Sequence, residues 1–280
     1  MSSQKFTNDY FLRYYMDEIK YCIRSHKRSE AIKNKTLSFL NYNNIPKKQI
    51  YIFVGEEEID TYKESLGSEY NILYGGSKGI AYCDNKITEY FDEDEKIVLM
   101  DDDIKEIYEL FMRDQKEKNP RNDKRLLPSN LRLLDFQLYI KDGFDLLETY
   151  NLTLFGMYPV CNSYFMKNTK PIELDLNFII GRISGYLNKK DIIIKDDCRE
   201  DYERTILHFK NVGGVLRFNH TCCEADTYVG KGGLAESRTN EKMEQSVNYM
   251  LTTYPDIVSR KKCKSQYSEI RLKKVKSSIK

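Results

Sequence analysis

The sequence predicts an α/β fold with a mostly parallel sheet flanked by helices, and three observations carry that reading. Short apolar runs alternate with amphipathic stretches from residue 19 to about residue 105. Each stretch between runs is long enough for a crossover helix, the signature of βαβ units whose sheet is covered on both faces. Acidic residues gather where helices should begin, as in EEE at 56–58, where they complement the helix dipole. No internal repeat of fixed period is present.

The elements follow in order. IKYCIR (19–24) is a strand, and SEAIKNKTLSFL (29–40) a helix with Ala31, Ile32, Leu37 and Leu40 near helical spacing. IYIFVG (50–55) is a strand, EEEIDTYKESL (56–66) a helix and YNILYG (70–75) a strand. GIAYCDNKITEYF (79–91) reads as a helix and KIVLMD (96–101) as a strand. SNLRLLDFQLYIKDGFDLLETY (129–150) is expected to be one helix packed by Leu131, Leu134, Leu138 and Leu146. LFGMYPVCNSYFMK (154–167) is expected as strand and loop. In IIIKDDCREDYERTILHF (192–209) the apolar start reads as a strand and the rest as a helix carrying Tyr202, Ile206 and Phe209 on one stripe. DQKEKNPRNDKR (114–125) has no apolar period and is expected to be a mobile loop.

At 280 residues the chain can bury a proper core. The expected division is one main domain over 1–258, in two halves (19–105 and 106–258), followed by a basic tail at 259–280. The polar start MSSQKFTNDY has no signal-peptide pattern, and no run approaches the ~20 apolar residues of a membrane span. A soluble, cytoplasmic protein is expected, in the cytoplasm of the host cell if the chain is viral. The 7 cysteines include no C-x-x-C pair, and adjacent Cys222 and Cys223 are poorly placed to bridge. Reduced thiols and no zinc site are therefore expected. A net charge of +2 excludes a general polyanion binder, but SRKKCKSQYSEIRLKKVKSSIK at the end is strongly basic and reads as a mobile tail or surface helix.

Three consecutive carboxylates, Asp101, Asp102 and Asp103, follow the strand at 96–101. Adjacent like charges need water or a cation. In a parallel α/β sheet ligands bind beyond the carboxyl ends of the strands, which makes a metal seat the favoured reading over a solvated turn. The strand ends at 24–28, 55–57 and 75–78 bring glycines and cations to the same side, a mixture suited to phosphate.

The ordered set IRSHKR, TLSFL, IYIFVGEEE, GGSKGIAYCDNKI and KIVLMDDDI, over roughly residues 19–105, resembles the nucleotide-binding half of GT-A glycosyltransferases. The resemblance implies a Rossmann-like GT-A fold with an additional C-terminal acceptor region. It makes Asp101 and Asp103 a D-x-D pair holding Mn²⁺ or Mg²⁺, with Asp102 between them. It makes Ser25, Arg28, Lys78 and Asn85 donor contacts, and His26 incidental. The donor implied is a nucleotide sugar, a UDP-sugar first. Acids at the start of the 200–209 helix face the acceptor in many such enzymes, which implies Asp201 as base with Glu200 and Asp197 behind it. His220 stands as a possible third ligand in the manner of a late histidine in several GT-A families.

REDYERTILHFKNVGGVLRFNH, YVGKGGLAESR and TTYPDI, over roughly 195–258, resemble the glycosyltransferases that phages and related viruses encode beside TET-like dioxygenases. That resemblance implies a hydroxymethylated pyrimidine in DNA as acceptor. Tyr158 and Tyr164 would then line the acceptor pocket, Lys231 would lie in a closing loop, and Arg260, with Lys261, Lys262, Lys273 and Lys274, would meet phosphates. Two other readings stay open. One is a glycosyltransferase acting on a glycan or protein. The other is a nucleotidyltransferase, although IRSHKRSE lacks the glycine such a loop would need after the first strand. A DNA-binding module without catalysis would explain the basic end but not the acids at a strand end. The oligomeric state is not encoded in any motif.

Overall fold

Alternate residues of the same strands enter two different cores, which is why their sequences are continuously apolar. In the computed structural model, which describes residues 18–76, 78–112, 128–226, 239–262 and 268–279, the first strands are β1 (Lys20–Arg24), β2 (Ile50–Val54), β3 (Asn71–Tyr74) and β4 (Lys96–Asp101). Tyr21, Ile23, Ile50, Ile52, Val98 and Met100 pack on one face; Cys22, Phe53, Ile97 and Leu99 pack on the other. The first face is covered by α1 (Ser29–Asn34), α2 (Thr36–Tyr42) and α3 (Ile59–Leu66), through Ile32, Leu37, Leu40 and Tyr62. The second is covered by α4 (Ile80–Tyr90), through Cys83 and Ile87.

The chain continues through β5 (Ile104–Met112), β6 (Pro128–Arg132), α5 (Phe136–Tyr150), β7 (Leu154–Tyr158), α6 (Ser163–Met166), β8 (Ile172–Glu173) and β9 (Ile183–Leu187). It ends in α7 (Glu200–Val212), β10 (Leu216–Ala225), α8 (Asn240–Thr253), β11 (Val258–Lys261) and β12 (Glu269–Leu272). The main sheet runs β3-β2-β1-β4-β9-β7-β10-β5-β6, with β8 also paired to β10. β1, β2, β3, β4, β6, β7 and β10 point one way, and β5, β8 and β9 run against them. The expected α/β architecture, a largely parallel sheet flanked by helices, is the one observed.

Several local expectations are corrected. The helix over 29–40 is broken at Lys35, whose backbone leaves the helical region (φ −121°, ψ −95°). The break has a use: it points Thr36 at the acid turn, where Thr36 Oγ1 donates to Asp101 O at 2.7 Å and accepts from Ile104 N at 3.0 Å. Residues 129–132 belong to β6, paired with β5, and the helix starts after Asp135, whose side chain accepts from Leu138 N. The leucine stripe was therefore out of phase. Leu131, Leu134 and Leu138 are 46%, 91% and 50% exposed, while Phe136, Tyr139, Ile140, Phe144 and Leu147 are buried.

No strand forms over 192–199; the strand that completes this part of the sheet is β9, whose short ISGYL run was not foreseen. Cys161 and Cys222 form a disulfide (Cα–Cα 5.2 Å), contrary to the expectation of reduced thiols, because β10 and the loop after β7 lie side by side. The basic end is neither a tail nor a helix. β11 and β12 form a hairpin whose Val258 and Ile270 pack with Ile206, Val247 and Met250, so the expected boundary at 258/259 falls inside a strand. The segment 114–125 lies outside the described residues.

Candidate active site

The ends of β1 and β4 are brought together by register: Arg24 is the lateral partner of Asp101. The acid turn that follows is tied on every side. Asp101 N donates to Arg182 O at 2.9 Å, Thr36 braces it from α2, and Asp226 N donates to Asp103 O at 3.3 Å from the end of β10. Strand ends, a helix and β10 thus hold three acids in one place without using their carboxylates.

The three carboxylates meet different surroundings. Asp102 turns inward: Oδ2 accepts from Ser25 Oγ at 2.6 Å and Oδ1 from Arg28 Nη1 at 3.1 Å. Since the Ser25 proton is spent on Asp102, the Tyr62 hydroxyl, 2.7 Å from Ser25 Oγ, must donate to Ser25 while accepting from Arg28 N at 3.0 Å. Burial raises Asp102 above the usual carboxylate range, against the pull of Ser25 and Arg28. Asp103 has Arg28 at 3.8 Å, with Lys35 pulling in the same direction. Burial first, then the charges of Asp101 and Asp102, push it up to about 6. Asp101 is the most open of the three, and its Oδ1 accepts from Arg24 Nη2 at 2.6 Å.

Arg24 links this turn to a second set of acids. Its Nη1 lies 3.2 and 3.3 Å from the two oxygens of Asp84 on α4, and its Nη2 also donates to Gly181 O at 3.1 Å. Glu200 Oε1, at the first turn of α7, is 3.7 Å away. Asp84 accepts a further bond from Arg204, one turn along α7. Burial opposes the charge of Arg24, but Asp84, Asp101 and Glu200 together hold it firmly protonated. Glu200 is pushed up to about 8, by burial and then by neighbouring Asp201. Asp201 is only partly buried, with its oxygens accepting from Gly181 N at 3.4 Å and Tyr202 N at 2.8 Å. Asp201 is therefore the more accessible acid of the pair, and Glu200 the buried one.

Among the described residues no three His, Cys, Asp or Glu side chains form a metal-binding group. Asp102 is consumed by Ser25 and Arg28, so a cation here would rest on Asp101 and Asp103 and complete its shell with substrate oxygens. Two hard carboxylates, one of them pushed up by burial and then by its like-charged neighbours, fit such a shared Mg²⁺ or Mn²⁺.

The other expected residues separate into those that reach this region and those used elsewhere. Ser25 and Arg28, expected as donor contacts, lie against the acid turn and bond Asp102 themselves. Lys78 is exposed just beyond β3, over the Tyr82 ring. Asn85 is used structurally instead: its amide donates to Ile194 O at 2.8 Å and accepts from Ile194 N at 2.9 Å, a clamp that ties α4 to the backbone before α7. Asp197 is corrected too, since it accepts from Ala81 N at 2.9 Å and closes the N-terminus of α4 against Gly79 (φ +115°), where a side chain would collide with it. His220 is at mid-strand in β10 with Nε2 3.1 Å from Thr169 O. At ~3.3 Å per residue it stands roughly 15–20 Å along β10 from the acid turn, so it is not a third ligand.

Tyr158 lies beside Cys222 under the Arg217 guanidinium, 5.3 Å from its ring centre. Tyr164 is exposed on α6, with Phe165 against its ring and Lys167 above it. Arg260 donates to Glu244 and Asn248 on α8, and is a fixed part of the hairpin. Lys231 lies outside the described residues. Sequence reasoning missed Arg24, Asp84, Arg204 and Tyr62. The available signals were an arginine at the end of an apolar strand, an acid on the buried stripe of α4, and the i,i+4 spacing of Glu200 and Arg204.

No protein-family model and no curated protein matches the chain. Solved structures similar to it include glucosyl-3-phosphoglycerate synthase from Mycobacterium tuberculosis in complex with phosphoglyceric acid. That match has 9% identity, 92% of this chain and 89% of the other covered, and a TM-score of 0.49. Another is CMP:2-keto-3-deoxy-manno-octonic acid synthetase complexed with CTP, at 7% identity, 71% and 88% coverage, and 0.39. A third is a glucose-1-phosphate thymidylyltransferase from Bacillus anthracis, at 11% identity, 61% and 72% coverage, and 0.35. At these scores the likenesses carry no argument about activity; the site's own geometry does. No helix among the described residues is long and apolar enough to cross a membrane.

Proposed function

We propose that the chain is a metal-dependent glycosyltransferase moving a hexose or pentose from a nucleotide sugar, a UDP-sugar first, to a hydroxyl acceptor. The observation that carries this reading is the pairing of two acid sets across one buried arginine. Asp101 and Asp103 stand at the end of β4, Glu200 and Asp201 at the start of α7, and Arg24 lies between them. In the reaction the acceptor oxygen bonds to the anomeric carbon, the carbon–oxygen bond to the diphosphate breaks with its electron pair, and the acceptor proton passes to a base. A cation on Asp101 and Asp103 would supply neutralisation of the diphosphate charge. Arg28 and Lys78 would add positive charge on the same side. Asp201, open and held by the Gly181 and Tyr202 amides, takes the proton if the anomeric centre is inverted.

For the acceptor, the resemblance of 195–258 supports a hydroxymethylpyrimidine in DNA. Lys261, Lys262, Lys273 and Lys274 are exposed along the C-terminal hairpin, a row of cations for phosphates, and Tyr158 and Tyr164 supply rings for a base or sugar.

The test incubates the protein with a panel of nucleotide sugars and Mn²⁺, and follows slow donor hydrolysis and transfer onto hydroxymethylated and unmodified DNA. Donor turnover with transfer to modified DNA alone is the expected result. Turnover without transfer to either DNA leaves a glycan- or protein-directed transferase. Pyrophosphate release from a nucleoside triphosphate and a sugar phosphate, with no hydrolysis of nucleotide sugars, replaces the reading by nucleotidyl transfer.

A further inference from the structure

The two acid sets of the site come from segments far apart in the chain, yet one side chain touches both. Arg24 Nη2 holds Asp101 Oδ1 at 2.6 Å and Gly181 O at 3.1 Å, while Nη1 holds Asp84 and lies 3.7 Å from Glu200. The arginine is almost fully buried, and its Nε has no partner among the described residues. A buried guanidinium so engaged cannot move without breaking several charge-assisted bonds, and its planar fork fixes the directions in which its partners lie. Gly181 extends the link, because its N–H binds Asp201 and its carbonyl binds Arg24. Asp84 extends it again by joining Arg204 on α7.

We propose that Arg24 is a positioning residue that fixes the donor-side carboxylate Asp101 and the acceptor-side pair Glu200–Asp201 in one relation. The inference rests on the glycosyltransferase reading for its catalytic meaning, and on the buried network alone for the coupling itself. Lysine retains the charge of Arg24 but not the fork, so it cannot serve Asp101, Asp84 and Gly181 together.

The experiment compares wild type with Arg24→Lys and Arg24→Gln for the ratio of sugar transfer, onto a hydroxymethylated oligonucleotide, to donor hydrolysis. Circular dichroism defines the folded fraction, and Mn²⁺ affinity is measured in the presence of UDP. A role in stability alone lowers the folded fraction without moving the ratio. The proposal expects the ratio to fall by roughly tenfold or more in Arg24→Lys, with Mn²⁺ affinity also weakened. An unchanged ratio and an unchanged Mn²⁺ affinity overturn it.

Should either variant fail to fold, or wild type turn over no nucleotide sugar, a cycle of Asp101→Asn and Glu200→Gln in otherwise native protein decides the coupling. It is read from urea midpoints at pH 9. Non-additive shifts uphold the link through Arg24, and additive shifts overturn it. Absence of any turnover with non-additive shifts would discard the glycosyltransferase reading while retaining the coupling, so the two failures are distinguishable.

Discussion

Two groups of buried ions flank helix α7, and they are satisfied to different degrees. On the side of the C-terminal unit, Glu203 accepts four bonds: Lys195 N at 2.6 Å, Asp196 N at 2.8 Å, Tyr249 OH at 2.6 Å and Tyr254 OH at 2.9 Å. Asp196 accepts from Cys198 N, Arg199 N and Ser246 Oγ, and Arg199 donates to Met243 O, Ser246 Oγ and Ser268 O. On the side of the strand ends, Glu200 has Arg24 at 3.7 Å, and Asp103 has Arg28 at 3.8 Å. Burial pushes both of these acids upward. A buried carboxylate ringed by donors is a structural tie, whereas one left wanting a cation or a proton is a place for chemistry. The same difference separates Asp197, spent on the α4 N-terminus, from Asp201, which it resembles in sequence position alone.

The hardest test of that contrast is at the acid turn. Asp101→Ala and Asp103→Ala should each lower donor turnover by roughly 10³-fold or more, because the charge on the departing diphosphate loses its counter-ion. The fold should survive, since backbone bonds from Thr36, Arg182 and Asp226 hold the turn. Asp103→Ala with near wild-type turnover, with or without added Mn²⁺, would remove the turn from the mechanism. Next in size is Asp201→Asn, which keeps the side chain's shape but accepts no proton. An inverting transfer should slow by roughly 10²-fold or more, with nucleotide affinity barely changed. Loss of nucleotide affinity would instead place Asp201 on the donor side, and an unaffected rate would shift the base to Glu200.

Much of the fold over residues 19–105 was legible because its central strands are short apolar runs, as expected where both sheet faces are covered. The acid turn stood out in sequence as three like charges directly after such a strand, but that Asp102 is spent on Ser25 and Arg28 and Asp101 bonds Arg24 was not readable there. What could not be read was pairing between distant segments. Arg24 meets Asp84, 60 residues away, and Gly181, 157 residues away, and no local pattern encodes either contact. Asn85 and Asp197 misled because a polar side chain bound to backbone looks the same in sequence as one bound to ligand. The stripe of Leu131, Leu134 and Leu138 misled because the capping signal at Asp135, which sets the true helix phase, was overlooked. The hairpin at the end was hidden by its lysines, which face water while Val258 and Ile270 face inward.

On the satisfied side, Glu203→Gln should leave the chemistry intact and cost stability. Tyr249 and Tyr254 share Oε1 while the Lys195 and Asp196 amides share Oε2, so an amide, with one acceptor oxygen, leaves one of these two donor pairs facing an NH2 group in a buried place. A loss of about 1–3 kcal/mol is expected, read by urea denaturation, with the turnover of the folded fraction unchanged. A drop in turnover without loss of stability would mean that this cluster belongs to the reaction and would erase the contrast drawn above.

The effect that is smallest near pH 6 sharpens the contrast most, because it makes the same substitution at the neighbouring acid. Near pH 6 Glu200 is already uncharged, held so by a folded value of about 8, and Glu200→Gln should then cost under about 1 kcal/mol. The sign of the pH dependence follows from proton binding. Between the ordinary glutamate range and about pH 8 the folded state keeps a proton that the unfolded chain has released, so the unfolded state binds fewer protons and this group's contribution falls as pH rises. Its slope is at most about 1.4 kcal/mol per pH unit. Glu200→Gln has no proton to lose, so its stability should rise relative to wild type across that window, the difference being largest near pH 8 and above. Urea midpoints of the two proteins from pH 5 to pH 9 measure it directly. Parallel curves would mean that Glu200 is ionised throughout, paired more tightly with Arg24 than a 3.7 Å separation allows, and the acid beside Asp201 would then be a structural tie like Glu203.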